Sequence, residues 1–180
     1  MVADRISISE GSWLILAVVL LCVPLPWITA AVLAAFVHEC GHYLALVCFR
    51  EKQIRIKLSV SSVRMVLPTM QQGKELICAL SGPIMGLSLL LLSRWLPRTA
   101  LCALGQSLFN LLPIYPLDGG RALKAFLCMT IKPLKVEKVC RLISNITRIL
   151  CICVCIYVAI FRDLGVLPLI VAVLLLIRVK

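Results

Sequence analysis

The sequence predicts an all-α polytopic membrane protein: about six transmembrane helices, with a short cytoplasmic β-hairpin between the second and third. Three observations carry that prediction. The 180 residues are 62% hydrophobic, with a mean hydropathy of +1.06, well above the apolar share of a soluble domain. No charged residue occurs from Gly11 to Val37 or from Leu76 to Ser93, and each stretch is long enough to cross a hydrocarbon core of about 30 Å. The positive charges gather between the apolar blocks, in one cluster from Arg50 to Lys74 and another from Arg121 to Arg148. Such a chain cannot cover its apolar surface with polar groups in water, so lipid is its expected solvent.

Taken in order, the apolar spans fall at about 12–23, 27–49, 76–93, 100–117, 149–161 and 164–177. Pro24-Leu25-Pro26 breaks the chain between the first two and makes a tight hairpin. Trp13 and Trp27 suit the membrane–water interfaces. The first, fifth and sixth spans are short for a full crossing, and the last two also fit a shallow re-entrant hairpin. The whole chain reads as a single membrane-embedded domain with a core at about 25–125. No internal repeat, appended soluble domain or removable signal peptide is read.

Orientation follows from lysine and arginine. The N-terminus, the 50–75 loop, the 118–148 loop and the C-terminus together hold sixteen of them, whereas the opposite face holds only Arg94, Arg98 and Arg162. The positive-inside rule places both termini and both long loops in the cytoplasm, as expected for a multi-pass plasma-membrane protein. The net charge of +11 therefore argues for loops facing the cytoplasm, and not for a nucleic-acid groove, which would interleave aromatics with its basic residues. The ten cysteines fall mainly inside apolar stretches and contain no CxxC pair, so they read as small buried hydrophobes, not a thiolate metal site.

Within the 50–75 loop, Ile54, Ile56, Leu58 and Val60 alternate with Arg55, Lys57, Ser59 and Ser61, and Val63, Met65 and Leu67 resume the alternation. Period two predicts a strand pair turning near Ser61-Ser62, at the cytoplasmic surface because an open sheet edge cannot face lipid. A plain connecting hairpin satisfies this pattern. So does a hairpin whose edge adds an extended substrate strand.

Chemistry concentrates in two motifs. The only two histidines are His38 and His42, in His38-Glu39-Cys40-Gly41-His42. On a helix, positions i and i+4 share a face, so both imidazoles can reach one metal ion, with Glu39 beside it to take a proton from a bound water. Ionisable groups at the end of a long uncharged span are costly in a membrane and by default point to function. A catalytic zinc site needs a third protein ligand and one open position. Of the eight acids, only Glu39 and Asp118 lie in or at the edge of long apolar segments near the cytoplasmic side. Asp118 closes the run Asn110-Leu-Leu-Pro113-Ile-Tyr-Pro116-Leu117 and precedes Gly119-Gly120. The two prolines break the fourth span, and the glycines permit a close turn after the acid. Alone, that run also describes an ordinary helix exit capped by an aspartate. His42 stands eight residues before Arg50, about 12 Å along a helix, and Asp118 stands three before Arg121, so both motifs sit toward the same side.

The motifs HECGH at 38–42 and NLLPIYPLDGG at 110–120 resemble those of the site-2 protease family of intramembrane zinc metalloproteases. The compact layout is most similar to the bacterial branch that contains the sporulation pro-sigma-factor processing protease. The resemblance covers roughly 25–125. It implies one zinc ion per chain held by His38, His42 and Asp118, with Glu39 as general base. It gives Asn110 a role in positioning substrate or stabilising the oxyanion. It implies hydrolysis of a transmembrane protein substrate, such as a membrane-tethered transcription regulator, with the lipid bilayer as surroundings and no nucleic-acid partner. Gly86 in Ser81-Gly82-Pro83-Ile-Met-Gly86 stands where the family often has asparagine. Gly82 and Gly86 at spacing four also read as a close helix-packing face.

Two other functions compete with this one. A prenyl-protein processing enzyme would take its third ligand from a later acidic motif, for which only Glu137 and Asp163 remain. A catalytically inactive metal-binding scaffold or chaperone would not need Glu39. For the 54–60 strand edge, proline at Ile56 is expected to slow cleavage of a transmembrane substrate if that edge takes substrate as an added strand. Unchanged cleavage rules strand addition out.

Overall fold

The computed structural model describes residues 24–49, 55–59, 62–66 and 71–161. In chain order they form α1 (Leu25–Cys48), β1 (Arg55–Ser59), β2 (Ser62–Val66), α2 (Gln72–Ser88), a 3-10 turn (Leu89–Leu92), α3 (Pro97–Asn110), α4 (Asp118–Thr130) and α5 (Pro133–Phe161). The spans expected at 12–23 and 164–177 lie outside the described residues. The chain divides into two compact units, Met1–Phe109 and Asn110–Lys180.

In the first unit, α1 begins at Pro24-Leu25-Pro26, where a proline in the first turn gives up an N–H that would have no helical partner. Its buried residues are Ala30, Ala34, His38, Gly41, His42 and Leu46, a stripe at helical spacing. The opposite positions Val32, Phe36 and Tyr43 are exposed. Large apolar groups outside and small groups inside is the arrangement a lipid solvent favours, because burial of methyl groups gives helices no advantage there and close backbone approach does. The buried face of α2 is correspondingly small: Cys78, Ala79, Gly82, Pro83 and Gly86. A Cβ on Gly41 would stand 2.5 Å from the Ser81 carbonyl oxygen and 2.7 Å from Met85 Cβ, so no larger residue fits at that crossing.

The 3-10 turn carries α2 on to Leu92 before the chain turns through Ser93–Leu96, and α3 begins at Pro97. The buried residues of α3 are Thr99, Ala100, Ala103 and Ser107, again one stripe of small side chains. Ala34, Leu89 and Ala103 form the unit's buried cluster, with Val37 and Cys102 packed against it. The strands β1 and β2 pair antiparallel, Arg55 opposite Val66 and Leu58 opposite Val63.

Three helical segments among the described residues are long and apolar enough to cross a membrane: Leu25–Cys48, Gln72–Leu92 and Lys135–Ala159. Helix α3 has 14 residues, about 21 Å of rise, and the fourth apolar stretch read at 100–117 is helical only as far as Asn110. Pro113 and Pro116 supply the reason, since neither can donate to a helical carbonyl. The fifth span is also longer than its apolar residues indicate. It belongs to a 29-residue helix from Pro133, and the rest of the segment read as a loop at 118–148 is largely α4. Charge there marks a polar helical surface. Lys, Glu, Arg and Leu are all good helix formers, and Glu137 and Arg141 pair at 2.9 Å one turn apart.

In the second unit, the non-helical residues from Leu111 to Leu117 must satisfy backbone groups without a helix. Ser144 on α5 does part of this. Its hydroxyl donates to the Pro113 carbonyl at 3.0 Å and accepts from the Tyr115 N–H at 3.3 Å. Within the segment itself, Ile114 N–H donates to Leu112 O and Leu117 N–H to Ile114 O. The Tyr115–Pro116 peptide is cis. Ser144→Ala is expected to destabilise the protein by about 1–2 kcal/mol, because two part-buried backbone groups lose their partner. Replacement of the exposed Asn145 is expected to stay within about 0.5 kcal/mol. Thermal unfolding in detergent measures both, and equal effects contradict the assigned role of Ser144.

Candidate metal centre

The first unit holds the two histidines. His38 and His42 are 3% and 6% exposed, one turn apart on the face of α1 that packs on α2. Their rings meet edge to face, with centroids 5.0 Å apart and planes at 81°. The Nε2 atoms approach to 3.3 Å. Two ligands of a tetrahedral zinc at bond lengths of about 2.0–2.1 Å are separated by about 3.3 Å, so the pair already has the spacing of one edge of such a site.

The tautomer of His42 is set by α2. Its Nδ1–H donates to the Cys78 carbonyl at 2.8 Å, the same oxygen that accepts from the Ser81 hydroxyl at 2.7 Å. With the proton on Nδ1, the Nε2 lone pair faces His38 and is available to a cation. Gly82 gives the ring its space. The nearest atoms to a Cβ built there are Nε2, Cε1 and Cδ2 of His42, closer than any real contact. Gly82 therefore lies directly beneath the imidazole. Glu39, next in sequence to His38, is half-buried.

In the second unit, Asp118 is 8% exposed and is the first residue of α4. A carboxylate there is favoured by the free N–H groups of the helix start, and Arg121 approaches it at 3.5 Å one turn on. The two glycines that follow serve close packing. A Cβ on Gly119 would run into the backbone of Leu111 and Leu112, and one on Gly120 would stand 2.5 Å from Ile114 C and Tyr115 N. The sequence suggested a turn at this point; instead the helix begins at the acid, with its first residues pressed against the returning 111–115 backbone. Asn110, expected to contact substrate, is half-buried at the C-terminal end of α3.

Sequence reasoning missed the Cys78 carbonyl, because a backbone acceptor leaves no residue signature. It registered Gly82 and Gly86 as a packing face at spacing four, without showing that the first of them supports a histidine ring.

A comparison with solved structures finds the site-2 protease from Methanocaldococcus jannaschii at a TM-score of 0.63 and 22% identity, covering 90% of this chain and 81% of that one. No family model and no curated protein matches. The chain thus shares the fold of that site-2 protease.

Gly82→Ala tests the local geometry. The added methyl must displace the His42 ring, so retained zinc after purification is expected to fall by about the 10–100-fold seen when a ligand's supporting group is disturbed. Gly105→Ala, which has nothing within 4 Å of the new methyl, is expected to retain wild-type zinc. Metal analysis of both variants decides it.

Proposed function

We propose that the chain is an intramembrane zinc metalloprotease of the site-2 protease family, with one zinc per chain. It hydrolyses peptide bonds in or near transmembrane segments of membrane-protein substrates. The observation that carries this reading is the histidine pair: both rings are buried and their Nε2 atoms stand 3.3 Å apart, the spacing of two ligands on one zinc, and the proposal adds the buried Asp118 as the third ligand. Two imidazoles and one carboxylate suit zinc, and three protein ligands leave a fourth position for water or substrate. The shared fold and the three apolar helices support the same reading.

His38, His42 and Asp118 would hold the zinc, which when bound would supply a Lewis acid for the scissile carbonyl and for activation of a water. Glu39 takes the proton of the attacking water and returns it to the leaving amine. Asn110 donates a hydrogen bond to the substrate or to the developing oxyanion. A helical substrate hides its carbonyls in internal hydrogen bonds, so residues of low helix propensity near the cut favour cleavage.

The surroundings are also part of the proposal. Six spans are read from the apolar stretches, and both termini in the cytoplasm with a site toward that side from the distribution of lysine and arginine. The substrate class is a transmembrane protein such as a membrane-tethered transcription regulator. The compact layout is the reason for placing the chain with the bacterial branch.

Glu39→Gln, purified in detergent, is expected to keep its zinc and to cleave a model transmembrane substrate at least about 100-fold more slowly. His42→Ala is expected to lose both zinc and cleavage. Zinc bound without Glu39-dependent cleavage, across several substrates, moves the assignment to a metal-binding scaffold.

A further inference from the structure

We propose that Ser107 is a positioning residue for His38: its hydroxyl, directly or through one water, accepts the Nδ1–H of His38 and so keeps Nε2 turned to the metal. The inference rests on the metal centre proposed for His38, His42 and Asp118, and every residue it adds belongs to the first unit.

Three observations point to it. The Ser107 side chain is fully buried, at 0% exposure, yet its Oγ makes no hydrogen bond. A serine inside a helix commonly bonds back to a carbonyl one turn earlier, and this one does not. The hydroxyl is instead aimed at α2 where Gly86 leaves an opening. A Cβ on Gly86 would stand 2.5 Å from Ser107 Oγ and 3.8 Å from His38 Nδ1. One methyl-sized space on α2 therefore borders both the serine hydroxyl and the nitrogen of His38 that faces away from its partner ring.

The chemistry requires such a group. A ligating imidazole holds its tautomer and orientation through the nitrogen that does not bind metal. For His42 that nitrogen is fixed by the Cys78 carbonyl at 2.8 Å. The equivalent nitrogen of His38 lies on the Gly86–Ser107 side, and Ser107 Oγ, a donor with two acceptor lone pairs, is the hydroxyl that α3 brings there. Gly86 contributes by being small: a side chain on α2 would separate the serine from the ring.

The test uses the full chain in detergent, labelled with 15N-histidine. Only two imidazoles are present, and His42 serves as the internal reference. The wild type is expected to show both rings protonated on Nδ1. In Ser107→Ala the His38 ring signals move while those of His42 stay. Zinc affinity, read by competition with a chelator, is expected to weaken about 10-fold. Gly86→Ala, which pushes the hydroxyl away without removing it, is expected to act in the same direction. An unchanged His38 signal together with unchanged zinc affinity in Ser107→Ala overturns the proposal and leaves Ser107 a packing residue. So do His38 and His42 signals that shift together, because that marks a general loss of structure. A wild type that takes up no zinc, with both rings visible, refutes the metal centre itself and the positioning role with it.

Discussion

Everything at the histidine pair depends on how closely α1 and α2 approach. A single hydrogen bond, from His42 Nδ1–H to the Cys78 carbonyl at 2.8 Å, turns one imidazole so that its other nitrogen meets that of His38 at 3.3 Å. That bond forms only if the two backbones nearly touch. Gly41 against Ser81 and Met85, and Gly82 beneath the His42 ring, are the points where a methyl group would hold them apart. In lipid, where burial of apolar area drives little, contacts between small residues become the main means of fixing such a distance. The same small residues thus stabilise the helix pair and aim the ring.

The second unit meets a different constraint. The segment from Leu111 to Leu117 is irregular, and irregular backbone is tolerated at membrane depth only when protein or a polar cavity satisfies its polar groups. Ser144 bonds both Pro113 O and Tyr115 N–H, while Gly119 and Gly120 let the start of α4 close against the segment. Asp118 follows directly from this arrangement. It is buried because the helix that begins with it is pressed onto its own approach segment, and its carboxylate sits at the helix end where negative charge is most favoured.

The legible parts of this protein were those with a periodic or chemically rare signature. Histidines four residues apart at the end of an uncharged span, and an acid after two helix-breaking prolines, stand out because such residues are costly in an apolar chain. The terminal spans and the turn of the hairpin fall outside the described residues. What the sequence hid is structural support that has no residue code: the Cys78 carbonyl, the ring resting on Gly82, and the Ser144 bridge, which joins residues about thirty positions apart. Charge also misled at 118–148, where lysines and arginines mark the polar surface of two helices, because helix propensity is indifferent to the charge that hydropathy counts against a span.

The central claim is a zinc ion held by nitrogen and oxygen donors alone. X-ray absorption at the zinc edge of the purified, detergent-solubilised protein tests it most directly. The account predicts a first shell of two imidazole nitrogens and oxygen ligands at about 2.0–2.2 Å, with the outer-shell scattering of histidine rings. A sulfur neighbour at about 2.3 Å, drawing on one of the nine free cysteines among the described residues, would contradict it.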